Sequence, residues 1–321
     1  MIIPTRTKIA IAATVQAPIA AARSLFGMKD HAVVRRDGMM WDLDLREGID
    51  FSIYLLRVFE RSTRNTLRDR VRPGATVLDI GANIGAHTLG LARSVGPSGC
   101  VHAFEPTDFA VAKLRRNLAL NPELDRRVRV HQTMLAAYPS APIQQEIYSS
   151  WPLSGGADVH PKHRGRLSTT NHARTDTLDA FAEREGLSRV DLIKIDVDGH
   201  EYPVLLGGSN LLYRWQPVIV MEVSPYVHEE EGNSFPHLIS LLRDNGYSLI
   251  DEGLRPLPLE AERLTEMIPG GASINAIAVP GAAKPRTAPK TDKIEAFGIK
   301  PALADTVTED EPQAVPVEPR P

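Results

Sequence analysis

The 321-residue sequence predicts an α/β protein, a doubly wound and largely parallel sheet with helices on both faces. Three observations carry that expectation. Short apolar runs end in carboxylates at Asp79, Glu105, Asp196 and Glu222, as buried parallel strands do when they deliver polar groups at their carboxyl ends. Each run is followed by apolar residues at helical spacing, so strands and helices alternate. A tight turn bracketed by Gly81 and Gly85 follows the first run, and ligands of such sheets bind above the strands' carboxyl ends.

Composition narrows the classes. Hydrophobic residues at 42% and charged ones at 24% describe an ordinary globular chain. A formal net charge of -3 argues against a general nucleic-acid binder. Cys100 is the only cysteine, which excludes a disulfide framework or a cysteine-based zinc site. Its apolar surroundings read as those of a structural thiol.

Three regions are expected. In residues 1–30, Arg6 and Lys8 precede an apolar run from Ile9 to Ala22 that Gln16 and Pro18 interrupt. That run is too short to span a bilayer and reads as a leader or surface helix of a cytoplasmic protein rather than a cleaved signal. Residues 31–280 read as one domain, and residues 281–321, rich in Pro, Ala, Lys and Glu, as a disordered tail.

The domain opens with a hairpin about Asp37-Gly38. Asp50 reads as the N-cap of a helix through Leu56, and a second helix runs towards Val71. These elements cap the sheet. Trp41 and Tyr54 read as core residues, with a place at the border of the site as the alternative. The strand Thr76–Ile80 then enters the glycine turn. A dinucleotide fingerprint would need glycines at 81, 83 and 86, where this chain has Gly81, Asn83 and Ala86. From Asp79 to Leu91 there is no Lys or Arg, so a sulfonium cation bearing an amino group suits the turn better than a pyrophosphate.

A second strand ends at Glu105, placed to accept hydrogen bonds from both ribose hydroxyls. Asp108 starts the next helix, which Asn121-Pro122 stops. Val128 to Leu135 reads as a third strand, with Met134 or Leu135 positioned to border an adenine. The irregular segment from Tyr138 to Arg174 reads as an insertion able to cover a substrate. Its His160 and His163 read as loop residues rather than metal ligands. Val190 to Ile195 is the next strand, followed by the polar turn Asp196 to Glu201 and one helix from Tyr202 to Leu212. The strand Val218–Glu222, a helix from Phe235 to Asn245, and strands Tyr247–Asp251 and Ile274–Val279 complete the pattern.

Four motifs together, residues 78–85, Phe104-Glu105-Pro106, Thr177-Leu178-Asp179 and residues 193–201, resemble the FkbM family of S-adenosylmethionine-dependent methyltransferases. The resemblance covers roughly Asp37 to Asp251. It implies a class I, Rossmann-like methyltransferase sheet of seven strands, ordered 3-2-1-4-5-7-6 with strand 7 antiparallel, and methyl transfer usually to oxygen. It also implies that Asp79, Gly81, Asn83 and Gly85 hold the methionine part of S-adenosyl-L-methionine and Glu105 the ribose. One common form of the last motif has Glu where this chain has Asp198, and Ala where it has His200.

The chemistry follows from the reaction itself. Methyl transfer to a sugar or small-metabolite hydroxyl needs alignment and a base. Asp196, His200 and Glu222 are the catalytic candidates. Glu201 is a further one, balanced against a helix-start role. Ranked behind direct base catalysis is a divalent cation held by Asp196 and Glu222. A small-molecule or glycan acceptor is expected. The alternatives to a methyltransferase are a nicotinamide oxidoreductase and a methyltransferase-like binding module without activity.

Overall fold

A computed structural model describes residues 5–153, 159, 165–230, 232 and 235–281. His160, His163 and the tail beyond Gly281 lie outside the described residues. Helix α1 (Thr5–Leu25) is followed by the hairpin β1 (His31–Arg36) and β2 (Met39–Asp44), then α2 (Gly48–Leu56) and α3 (Arg61–Arg70). The wound sheet begins with β3 (Thr76–Ile80), α4 (Thr88–Val95), β4 (Cys100–Phe104), α5 (Asp108–Ala119), α6 (Pro122–Asp125) and β5 (Val128–His131). Four short strands follow: β6 (Thr133–Leu135), β7 (Glu146–Ser149), β8 (Arg166–Thr169) and β9 (Arg174–Asp176). The chain returns to the sheet through α7 (Leu178–Arg184), β10 (Leu192–Ile195), α8 (Glu201–Leu206), α9 (Ser209–Trp215) and β11 (Val218–Val223). It closes with α10 (Pro225–Glu230), α11 (Phe235–Asp244), β12 (Tyr247–Asp251), β13 (Pro256–Leu257), α12 (Ala261–Met267) and β14 (Ile274–Pro280).

The main sheet has the order β13-β12-β14-β11-β10-β3-β4-β5. From β5 to β11 all neighbours are parallel, whereas β14 runs antiparallel to both β11 and β12. The seven longer strands thus lie in the order 3-2-1-4-5-7-6 with the seventh reversed. The two-residue β13 adds an eighth at the edge, and it is too short to leave a pattern in the sequence.

Alternation along the strands explains the continuous apolar runs. Leu78, Ile80, Ile193 and Ile195 face Val204, Leu205 and Leu212 on one side of the sheet. Val77, Leu192 and Val220 face Leu67, Leu91 and Val95 on the other. Both faces are covered, so a polar residue in these strands, such as Asp79 or Lys194, must be paired where it is buried. A third cluster joins Trp41, Leu43 and Phe51 of the cap to Ala82 and Ile84 of the glycine turn. Trp41 therefore belongs to the core, and Tyr54 stands between the guanidinium groups of Arg23 and Arg36.

Three expectations are corrected. Asp50 is not a cap: α2 starts at Gly48, and the buried Asp50 carboxylate pairs with Lys113 and accepts the Asp44 N–H at 2.7 Å. The third strand breaks at Gln132, because β6 leaves the sheet to pair with β9. The single helix from Tyr202 to Leu212 is two, parted at Gly207-Gly208. There the Asp179 carboxylate accepts the N–H groups of Asn210 and Leu211 at 3.0 and 2.8 Å and starts α9. The hairpin is as expected, with Asp37 and Gly38 both at positive φ, 48° and 79°. No described helix is long and apolar enough to cross a membrane.

At the β4–β5 edge of the sheet two imidazoles stack. His102 Nδ1 lies 3.1 Å from His131 Nε2, with ring planes 14° apart. One ring must donate and the other accept, which requires the accepting ring to be neutral. Burial holds each pKa down at about 4, helped at His102 by His131 and at His131 by Arg184. Both folded values lie below the unfolded one, so this stability is present above roughly pH 6.5 and lost as the pH falls towards 4. Urea unfolding at pH 7 and pH 5 should show a loss on the order of 2 kcal/mol from the buried His102 alone. The His102→Gln variant should have a flatter pH profile, and an unchanged slope would contradict this.

Candidate active site

A cavity of about 400 Å³ opens above the carboxyl ends of β3, β4 and β10, at the point where the winding direction reverses. Its floor begins at Gly81, which sits at φ +76° against the backbone of β10. A Cβ there would lie 1.8 Å from the Asp196 carbonyl oxygen, so only glycine lets the two strand ends close. The N–H groups of Gly81 and Ala82 both donate to the Phe104 carbonyl, at 3.0 and 2.9 Å.

Beneath this turn lies a buried ammonium. Lys194 Nζ donates to the Gly81 carbonyl at 3.1 Å and stands 3.7 Å from Asp79 and 3.4 Å from Asp196. Burial opposes its charge, yet Asp196, Asp79 and Glu60 outweigh burial and raise its pKa. Asp79 is wholly buried, accepts the Thr88 hydroxyl at 2.6 Å and does not line the cavity. Direct contact with the ligand, expected of Asp79, is thus replaced by support of the turn from below. Gly85 is also outside the lining, since its Cα packs toward Leu114 and Leu89.

Gly81, Asn83, Glu105 and Met134 do line the cavity. Asn83, at φ +48°, donates its N–H to Glu105 Oε2 at 2.9 Å. Glu105 Oε1 accepts the Thr107 N–H and hydroxyl at 3.0 and 2.6 Å, which engages both of its lone pairs. Oε2 keeps one lone pair, enough for a single further donor rather than the two expected. Burial raises the Glu105 pKa against these three donors. Met134 and Leu135 supply an apolar wall, and residues 146–151 of the insertion, including Trp151, line the cavity as well.

The polar end carries the catalytic candidates. Asp196, Asp198 and His200 line the cavity. Glu222 does not line it, but Asp196, Asp198 and Glu222 each offer an oxygen within 4.8 Å of the others. Burial and its neighbours Asp196 and Asp198 push the Glu222 pKa well up, against a hydrogen bond from Ser273. Asp196 is raised as well, by burial first and then by Glu60 and Glu201, with Lys194 opposing. Glu201 points away: it is buried, accepts the Val197 N–H at 3.1 Å and pairs with the buried His228 at 3.1 Å. Its structural role outweighs the catalytic one.

Sequence reasoning missed Glu60, His87 and Lys194. His87 lines the cavity, is 5% exposed, and sets Nε2 3.3 Å from Glu60, with its Nδ1 lacking a partner among the described residues. Glu60 comes from the cap, 27 residues earlier, so no local pattern joins the pair. Lys194 did leave a signal, as a lone charge in an apolar strand that demands a buried counter-charge.

Sheet order and cavity define a class I methyltransferase fold. The model of the methyltransferase FkbM domain matches residues 79–249, and the chain belongs to this family of methyltransferases. The oxidoreductase and inactive-module alternatives fall with that membership. The 31-O-demethyl-FK506 methyltransferase FkbM of Streptomyces tacrolimicus is 30% identical over 204 residues, 57% of this chain and 76% of that protein. The 2-O-methyltransferase NoeI of Sinorhizobium fredii is 28% identical over 153 residues, 44% of this chain and 60% of that protein. A solved SAM-dependent O-methyltransferase of Thermotoga maritima is 14% identical with a TM-score of 0.39, over 82% of each chain.

The two turn glycines should differ in cost. Gly81→Ala meets backbone that cannot yield, whereas Gly85→Ala, at φ +92°, meets Leu114 and Leu89 side-chain ends that can shift. Thermal unfolding should show Gly81→Ala as the more damaging by about 2 kcal/mol or more. The reverse order would contradict the close approach of β3 and β10.

Proposed function

We propose that the protein transfers a methyl group from S-adenosylmethionine to a hydroxyl of a sugar or small metabolite. The observation that carries this reading is the cavity over the β3–β10 switch point, which joins a ribose-type carboxylate to a turn of carboxylates and a histidine. The residues present fit the cofactor: Glu105 keeps one open lone pair, Gly81 and Asn83 of the turn line the cavity beside it, and Met134 with Leu135 offers an apolar wall for a base. When bound, S-adenosylmethionine supplies an electrophilic methyl group on a sulfonium. Relatives named as O-methyltransferases support oxygen as the acceptor atom.

The chain's own part is to align the acceptor and take its proton. His200 opens α8 at the cavity wall, and its imidazole is the base we assign to the acceptor hydroxyl. Asp196, fixed by Lys194, orients the acceptor beside it. Trp151 and residues 146–150 line the cavity and help to exclude water from it. A second reading is favoured by the cluster of Asp196, Asp198 and Glu222, whose oxygens converge as ligands of a divalent cation would.

His200→Ala should lower turnover roughly a hundredfold or more while leaving cofactor affinity nearly intact. Asp196→Asn should be damaging too. Single-turnover rates on an acceptor that the wild type methylates check both, and normal rates in both variants would sink the assignment. Activity lost to a chelator and restored by magnesium, with Glu222→Gln more harmful than His200→Ala, would favour the cation instead. Glu105→Ala should weaken S-adenosylmethionine binding by about 1.5 to 3 kcal/mol in calorimetry. Unchanged affinity in the folded variant would remove Glu105 from the cofactor site.

A further inference from the structure

Helix α1 buries only one stripe. Ile9, Ala12, Ala13 and Ile19 pack on the cap cluster. The flank of that stripe leaves Ile11 and Val15 exposed, and past the helix end Leu25, Phe26 and Met28 stand out at 86%, 81% and 53% exposure. Leu55 and Leu56 at the end of α2 are exposed as well. These belong to one surface, since Arg23 ties the two helix ends together by donating to the Tyr54 hydroxyl at 3.2 Å and the Lys29 carbonyl at 2.6 Å. Of the twelve large hydrophobic side chains exposed among the described residues, eight lie between Ile11 and Leu56. Such concentration marks a surface that meets something apolar.

The charge of that surface selects the occupant. Residues 1–29 contain no Asp or Glu but have Arg6, Lys8, Arg23 and Lys29. Arg57 and Arg61 follow the exposed leucines and are themselves exposed. A second copy docked across a two-fold axis would set these cations against their own equivalents, which costs rather than binds. An apolar strip rimmed by arginine and lysine instead matches a bilayer interface, where apolar side chains enter below the headgroups and each cation near an anionic surface adds roughly a fivefold gain. We propose that this face rests on a lipid membrane bearing anionic headgroups, with α1 in the plane of the interface. Phe59, three residues beyond Leu56, lines the cavity, so the exposed leucines of this face stand close in sequence to the cavity wall.

Co-sedimentation of the full chain with phosphatidylcholine vesicles, with and without phosphatidylglycerol, tests this. Binding should be at least about tenfold stronger to the anionic vesicles and should weaken in high salt. The double variant Leu25→Glu/Phe26→Glu should lose tenfold or more, whereas Met267→Glu, an exposed apolar site on α12, should bind as the wild type does. Circular dichroism checks that the variants fold. Should the double variant fail to fold, Arg6→Gln/Lys8→Gln/Lys29→Gln keeps the apolar strip and should still lose tenfold or more. No binding by the wild type, or binding that survives both variants, would overturn the proposal. So would a dimer in light scattering that Leu25→Glu/Phe26→Glu dissolves while vesicles are ignored.

Discussion

The ammonium of Lys194 sits where four parts of the site meet: the β3 carboxylate Asp79, the Gly81 carbonyl, the β10 carboxylate Asp196 and the acidic edge of the cap at Glu60. Lysine in a strand covered on both faces is tolerated only if counter-charge and acceptors surround it. Here they do, and the dependence is mutual. Asp79 has one oxygen bonded to Thr88 and the other facing only Lys194, so loss of the lysine would strand a fully buried charge. Breaking such a pair costs about 3 to 5 kcal/mol. The glycine turn rests on this buried pair, and the close contact of Gly81 with Asp196 follows from it.

Above that floor the cavity separates two tasks. At one end Glu105 is tied down by Asn83 and Thr107, which fixes its position and leaves it little freedom to accept more. At the other end Asp196, Asp198 and Glu222 crowd together, and burial raises the carboxyl pKa of Asp196, helped by Glu60 and Glu201, and of Glu222, helped by Asp196 and Asp198. One end of the cavity is therefore held in place by hydrogen bonds, while the other gathers carboxyl groups whose burial favours the protonated form. The Glu60–His87 pair closes the wall between the sheet and the cap.

The sheet was legible because its physics is local: a strand covered on both faces writes an uninterrupted apolar run, and a glycine turn marks its end. The carboxylates at strand ends could likewise be located, and Gly81, Asn83, Glu105, Met134, Asp196 and His200 do come together around one cavity. What the sequence could not convey was direction. Asp79 and Glu105 both stand near the ends of neighbouring strands, but Asp79 pairs with Ala103, two residues short of Glu105, and one side chain is sealed under the floor while the other lines the cavity. Glu201 looked as reactive as His200 until His228, 27 residues on, was seen to claim it. Asp50 followed the cap rule for a helix start, but a buried Lys113 from α5 overrode it. In each case a partner distant in sequence decided the outcome.

A crystal structure of the protein with S-adenosylhomocysteine tests the central claim most directly. Density should fill the cavity over the β3–β10 switch point, with one ribose hydroxyl donating to Glu105 Oε2, the base against Met134 and the sulfur directed toward Asp196 and His200. Ligand bound elsewhere, or a ribose held without Glu105 while the sulfur faces away from the β10 turn, would contradict it.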